Sequence, residues 1–177
     1  MILSFMIKEK FLNKIIFFEL YLYWIVFIGD KMNYLEKIRQ RFEGDFFATK
    51  AAKINLVSAE PEYPESETTC EAVNVICEMV IEDLHKNAAG GVMGGAIFTL
   101  ADYAFAICAN ALNEEYVTVS VASTINFIDV CKGSKLVAIP ECVKTGKNLC
   151  FYEIKVFDDL GNLVSSVLMT GIKKKIK

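Results

Sequence analysis

The sequence predicts an α+β domain in which an antiparallel sheet wraps one long buried helix, and two observations carry that expectation. The run from Gly94 to about Leu112 is apolar on nearly every side, the pattern of a helix covered by surrounding structure rather than laid on a surface. Four β-type runs follow it: Val117 to Ile128, Lys135 to Lys144, Leu149 to Phe157 and Leu163 to Lys173. The breaks at Lys132-Gly133-Ser134, Gly146-Lys147-Asn148 and Asp158-Asp159-Leu160-Gly161-Asn162 have turn chemistry. Consecutive strands with short turns imply a meander, and one helix against one sheet makes a two-layer domain.

Before the long helix, the chain opens on Lys8, Lys10 and Lys14 and an apolar run from Ile15 to Ile28 broken only by Glu19. That run has 14 residues, short of the roughly 20 that span a bilayer. No small-x-small cleavage pattern follows it. Residues 1–31 are therefore expected to be an apolar leader or extra helix, with Met32 able to serve as a start and 32–177 forming the working domain. Membrane contact would rest on residues 1–31 alone. Asn33 can cap an amphipathic helix in which Leu35, Ile38, Phe42 and Phe46 recur at helical spacing up to about Phe47. Lys53 to Ser58 and Cys70 to Ile81 then read as strands, separated by the polar connection Glu60, Pro61, Pro64, Glu65 and Ser66.

A chain of 177 residues supports one sizeable core, and two full domains would be unusual. A net charge of −3 and a pI near 5.3 argue against an extended nucleic-acid surface. The one basic cluster, Lys173, Lys174, Lys175 and Lys177, reads as a solvated tail. Six cysteines form no CxxC pair and there is one histidine, so no metal site is expected. Most of the cysteines fall in apolar segments, which reads as reduced core residues of a cytoplasmic protein.

The chemistry concentrates between His85 and Asn110, in HKNAAGGVMGGAIFTLADYAFAICAN. A glycine-rich turn opens directly into the long helix, where bare backbone N–H groups and the helix dipole favour negative charge on a reacting oxygen. The helix carries a single acid, Asp102, and a carboxylate can activate water or attack an acyl carbon itself. Taken alone, Asp102 could equally belong to a polar stripe with Thr99, Asn110 and Asn113. His85 and Asn87 could serve the loop, and Gly94 and Gly95 could serve close helix packing.

In these residues the chain resembles the hotdog-fold acyl-CoA thioesterases of the phenylacetate-pathway, PaaI-like type, over about Met32 to Lys175. The family pattern is H-x-N-x-x-G-x-x-H-G-G followed by a helix with L-x-D. His85, Asn87, Gly90, Gly94, Gly95 and Leu100-Ala101-Asp102 fit it, and Met93 stands where the family has histidine. Val119-Ser120-Val121, Lys132-Gly133 and Lys144-Thr145-Gly146-Lys147 match later segments. The resemblance implies a hotdog fold, acyl-CoA hydrolysis with no cofactor beyond the CoA of the substrate, and a homodimer or dimer of dimers. By the same resemblance Asp102 would be base or nucleophile, Ser120 would hold the attacking water, and Asn87 with the Gly94 N–H would polarise the thioester carbonyl. Met93, Gly95 and Thr99 would touch substrate, Lys132, Lys135, Lys144 and Lys147 at strand ends could meet the CoA phosphates, and Phe98, Tyr103, Phe105 and Phe127 could line an acyl pocket or simply belong to the core. Two other readings stay open: a non-catalytic acyl-CoA-binding sensor, and a hydratase or dehydratase, which would need an acid–base histidine or glutamate in the site.

One expectation needs no family. Gly94 and Asp102 are eight residues apart on one helix, which at about 1.5 Å per residue is roughly 12 Å along the axis. One thioester group cannot meet both, so either Gly94 is not the donor or a second copy of the chain completes each site, and a dimer resolves it.

Overall fold

The computed structural model describes residues 34–61, 73–112 and 115–176. The chain divides into two units, Met1–Glu36 and Lys37–Lys177, and the second carries the sheet and the long helix. The leader expected over 1–31, the Asn33 cap and Cys70 lie outside the described residues.

In the second unit residues 37–42 are helical (α1) and bury Ile38. The expected continuation to Phe47 does not occur. Residues 43–45 turn away, and Phe47–Ala51 forms a π-helical turn instead. The Asp45 carbonyl anchors that turn by accepting the Thr49 N–H and the Thr49 hydroxyl, each at 2.9 Å. Phe46 and Phe47 are 66% and 69% exposed, so the apolar spacing that suggested one amphipathic helix buries neither ring.

Among the described residues six strands follow: β1 (Ile54–Pro61), β2 (Val73–Val80), β3 (Tyr116–Phe127), β4 (Lys135–Thr145), β5 (Leu149–Asp158) and β6 (Leu163–Lys175). They form one antiparallel sheet in the order β1-β2-β4-β5-β6-β3. The expected meander is therefore confined to β4, β5 and β6, whose connections are tight enough to keep neighbours paired. The longer link over residues 128–134 lets β3 lie at the far edge beside β6 while β4 slots in next to β2.

The long helix, α2 (Gly94–Asn110), lies in the concavity of this sheet. Leu100, Ala101, Ala104, Phe105, Ile107 and Cys108 are buried on it against Val75, Cys77, Met79, Leu136, Ala138, Ile154, Val156 and Val167 from the strands. Burial on this scale is the main stabilising term of the domain. Phe105 meets Tyr152 edge to face at 5.2 Å between centroids. Gly171 makes room for that contact, since a Cβ there would come within 2.8 Å of the Phe105 ring. Cys77, Cys108, Cys131 and Cys150 are not disulfide-bonded, whereas Cys142 is and departs from the reduced set.

A two-bond clamp sets β3 against the end of α2. Buried Asn110 donates its Nδ2 hydrogen to the Thr118 carbonyl at 3.0 Å and accepts the Thr118 N–H on Oδ1 at 2.6 Å. Replacing Asn110 by alanine strands two buried backbone groups, and urea denaturation should show a loss of about 2–4 kcal/mol. A loss below about 0.5 kcal/mol would mean that water replaces the amide without penalty.

Candidate active site

The glycine turn is built from the chain's one histidine outward. Glu82 donates its N–H to His85 Nδ1 at 2.9 Å, which leaves the ring proton on Nε2, 3.0 Å from the Ala52 carbonyl that accepts it. His85 is buried and ties the loop to the segment before β1. The Met93 N–H then donates to the His85 carbonyl at 2.8 Å, and Lys86 bridges Val92, closing the loop that leads into α2. Gly90 sits at φ +83°, where an L side chain is strained.

Asn87 heads this closed loop. Its Oδ1 accepts the N–H groups of Ala89 at 2.9 Å and Gly91 at 3.2 Å. Two backbone donors require the carbonyl oxygen on that side, so the amide nitrogen is the end left to donate outward, and the side chain is exposed. Met93 is the N-cap of α2 and its thioether caps nothing. The Ala96 and Ile97 N–H groups return to the Met93 carbonyl at 2.9 and 3.2 Å. The N–H groups of Gly94 and Gly95 have no acceptor among the described residues, as expected for the first turn of an uncapped helix. Thr99 spends its hydroxyl proton on the Gly95 carbonyl at 2.8 Å.

Asp102 is half-buried two turns further along. Burial pushes its carboxyl above the ordinary range, a Ser120 hydrogen bond pulls it back, and the Asp45 carboxylate adds like-charge repulsion. Ser120 reaches it for a simple reason of period. Buried Thr118 faces the helix, and Ser120, two residues on, points the same way. The ladder then skips Val121 before resuming at Ala122, a bulge that re-aims the strand beside the carboxylate.

The structure thus assembles two clusters in one chain: Asn87, Met93, Gly94 and Gly95 at the helix start, and Asp102 with Ser120 further along. It does not bring them together, because α2 is continuous from Gly94 through Asp102. The lysines divide in the same way. Lys135, at the start of β4 near the helix start, is paired with Glu78 at 2.7 Å, and Lys132 just before it with Asp129 at 2.7 Å. Lys147 lies in the turn after Thr145, in line with Ser120 through the register Thr145, Cys150, Gly171, Ser120. It is exposed and makes no ion pair among the described residues.

One residue at the site, Asp45, carries no sequence signal, and a second, Phe127, is marked by the sequence only as one of several aromatics that could line an acyl pocket or belong to the core. Asp45 acts on Asp102 from 57 positions away, with no periodic signal to mark it. Phe127 places its ring edge against Gly94, where an added Cβ would lie 2.7 Å from the ring tip. An aromatic at the end of a strand reads as core in the sequence, yet this one is 55% exposed.

A curved antiparallel sheet around one long helix defines the hotdog class. Residues 89–165 match the Thioesterase superfamily, and human acyl-coenzyme A thioesterase 13 is 30% identical over 135 residues, 76% of this chain and 86% of that protein. The chain belongs to the thioesterase superfamily. Solved structures share the fold: the PaaI protein of the Escherichia coli phenylacetic acid degradation operon superposes with a TM-score of 0.65 at 19% identity, covering 83% of this chain and 96% of that one. A hypothetical thioesterase from Streptococcus pneumoniae, solved with coenzyme A, gives a TM-score of 0.63 at 18% identity over 78% of this chain and 98% of its own. Among the described residues no helix is long and apolar enough to cross a membrane, and no cluster of ligating side chains could hold a metal ion.

Proposed function

We propose that this protein hydrolyses the thioester of an acyl-CoA, releasing the free acid and coenzyme A, and that it does so as a homodimer. The observation that carries this reading is the half-buried Asp102 carboxylate, held by Ser120, on a helix whose first two N–H groups are uncapped. A carboxylate raised by burial is a stronger base than an exposed one, and uncapped donors at a helix start suit an oxyanion.

In this reading the thioester oxygen accepts from Asn87 Nδ2 and the Gly94 N–H. Asp102 of the facing copy takes a proton from water as the water oxygen bonds to the carbonyl carbon, or attacks that carbon itself. On the base route the tetrahedral intermediate collapses with the C–S bond breaking, and the proton held by Asp102 goes to the departing thiolate. On the nucleophile route the C–S bond breaks to leave an acyl–Asp102 anhydride, which water then cleaves to the free acid and the regenerated carboxylate, the water's protons going to the carboxylate and thiolate products. The free Lys147 is a better candidate than Lys132 or Lys135 for the CoA phosphates, because those two must first give up carboxylate partners. Met93 keeps the reading of a non-catalytic acyl-CoA sensor in play, since the site mouth lacks the family's histidine.

Release of free thiol from a panel of acyl-CoA thioesters, with calorimetric binding measured in parallel, decides between them. Turnover of any member supports hydrolysis. Tight binding without thiol release would establish the sensor and end the enzymatic reading.

A further inference from the structure

The ring over Gly94 carries an inference about how the substrate is held. Ala138, Val156, Ser165 and Phe127 stand in one row across β4, β5, β6 and β3. Ladder partners share a face. The first three are fully buried against α2, so Phe127 also points inward, toward the helix. Beside so small a residue as Ser165 the ring has room to lean across, and its edge meets Gly94. An inward-facing aromatic would ordinarily be covered by core, yet this one is 55% exposed because β3 is the sheet edge and α2 only begins here. On the other side the Met93 methyl folds over Gly95, where an added Cβ would lie 2.9 Å from it, and Met93 is 49% exposed. The helix start that carries the two uncapped N–H groups thus has two half-open apolar side chains packed against it.

Resting on the thioesterase reading, we propose that Phe127 is the positioning residue of the reaction: its ring, together with the Met93 side chain, forms the apolar wall that guides the thioester oxygen onto the Gly94 N–H and keeps water off the helix start. Donors of this kind act more strongly on an oxygen where water is excluded. The wall is a feature of side chains, so it can be removed without touching the donors themselves.

The test compares wild type with Phe127→Ala, Phe127→Tyr, Gly94→Ala and Phe127→Ala combined with Gly94→Ala. For each, kcat and KM are measured on a thioester that wild type hydrolyses, and Kd for a ketone analogue of that acyl-CoA in which CH2 replaces the thioester sulfur. Phe127→Ala should lower kcat by roughly 10- to 100-fold, the scale of a misplaced reacting group. Its Tm should change little, because half the ring is already in water. Phe127→Tyr should retain kcat within about threefold, since the wall is kept. Gly94→Ala alone would push the ring aside, so adding it to Phe127→Ala should cost less than it does in wild type. A folded Phe127→Ala protein with wild-type kcat, KM and analogue affinity overturns this inference and leaves the thioesterase reading standing. If wild type binds the analogue without turning over any thioester, the reading fails and the analogue Kd of Phe127→Ala alone decides, with unchanged affinity overturning the wall. A wild type that neither turns over nor binds overturns both.

Discussion

Asp102→Asn removes turnover, with kcat falling by roughly 10²- to 10⁴-fold while the fold persists, because the amide keeps the shape of the side chain and loses the base. The stability effect has the opposite sign. Burial raises the Asp102 carboxyl in the folded state, so the stability it contributes is complete below the ordinary carboxylate range and is lost as pH rises through the raised value. At neutral pH the ionised group therefore costs stability, and the asparagine variant should melt higher than wild type. The acid limb of kcat/KM should fall above the ordinary carboxylate range, and Asp45→Asn should move it lower by removing the like charge. Thiol release across pH and thermal melts measure both. Unchanged turnover in a folded Asp102→Asn protein removes this residue from the mechanism.

A mixed dimer should recover what each of two dead parents lacks. Asn87→Ala and Asp102→Asn, co-expressed with different tags and isolated as the heterodimer, place both substitutions in one site and neither in the other. Activity should return to about half the wild-type value per dimer if the sites are independent. α2 runs unbroken from Gly94 to Asn110, separating donor and carboxylate by roughly 12 Å. Ser120 and Asp102 meet within one chain, so they travel together to the same site. A heterodimer as inactive as its parents would mean that each site is built within a single chain.

The parts of this fold legible in the sequence are those encoded locally. The long helix, its glycine-rich entry and its lone acid are contiguous, and an all-round apolar helix has few places to go other than inside a sheet. The pairing of β3 with β6 was hidden because it joins residues about 50 apart, and no turn announces it. Phe46 and Phe47 misled for the reason that spacing reports a period and not a partner; Gly44 and Asp45 break the helix before the period can be used. At the site, Asn87, Gly94 and Asp102 could be picked out by residue type. The seat of Phe127 on Gly94 and the reach of Asp45 to Asp102 could not, since each depends on where two distant elements cross.

Among the described residues β3 leaves one side of its backbone without a strand beside it, and the strand carries Val117, Val121 and Phe127 partly exposed. If a second copy occupies that edge and supplies half of each site, association and catalysis become one equilibrium. Rate per chain would then be constant at high protein concentration and fall in proportion to concentration once dimers dissociate. Such an enzyme measures its own abundance, staying silent when scarce and switching on as copies accumulate.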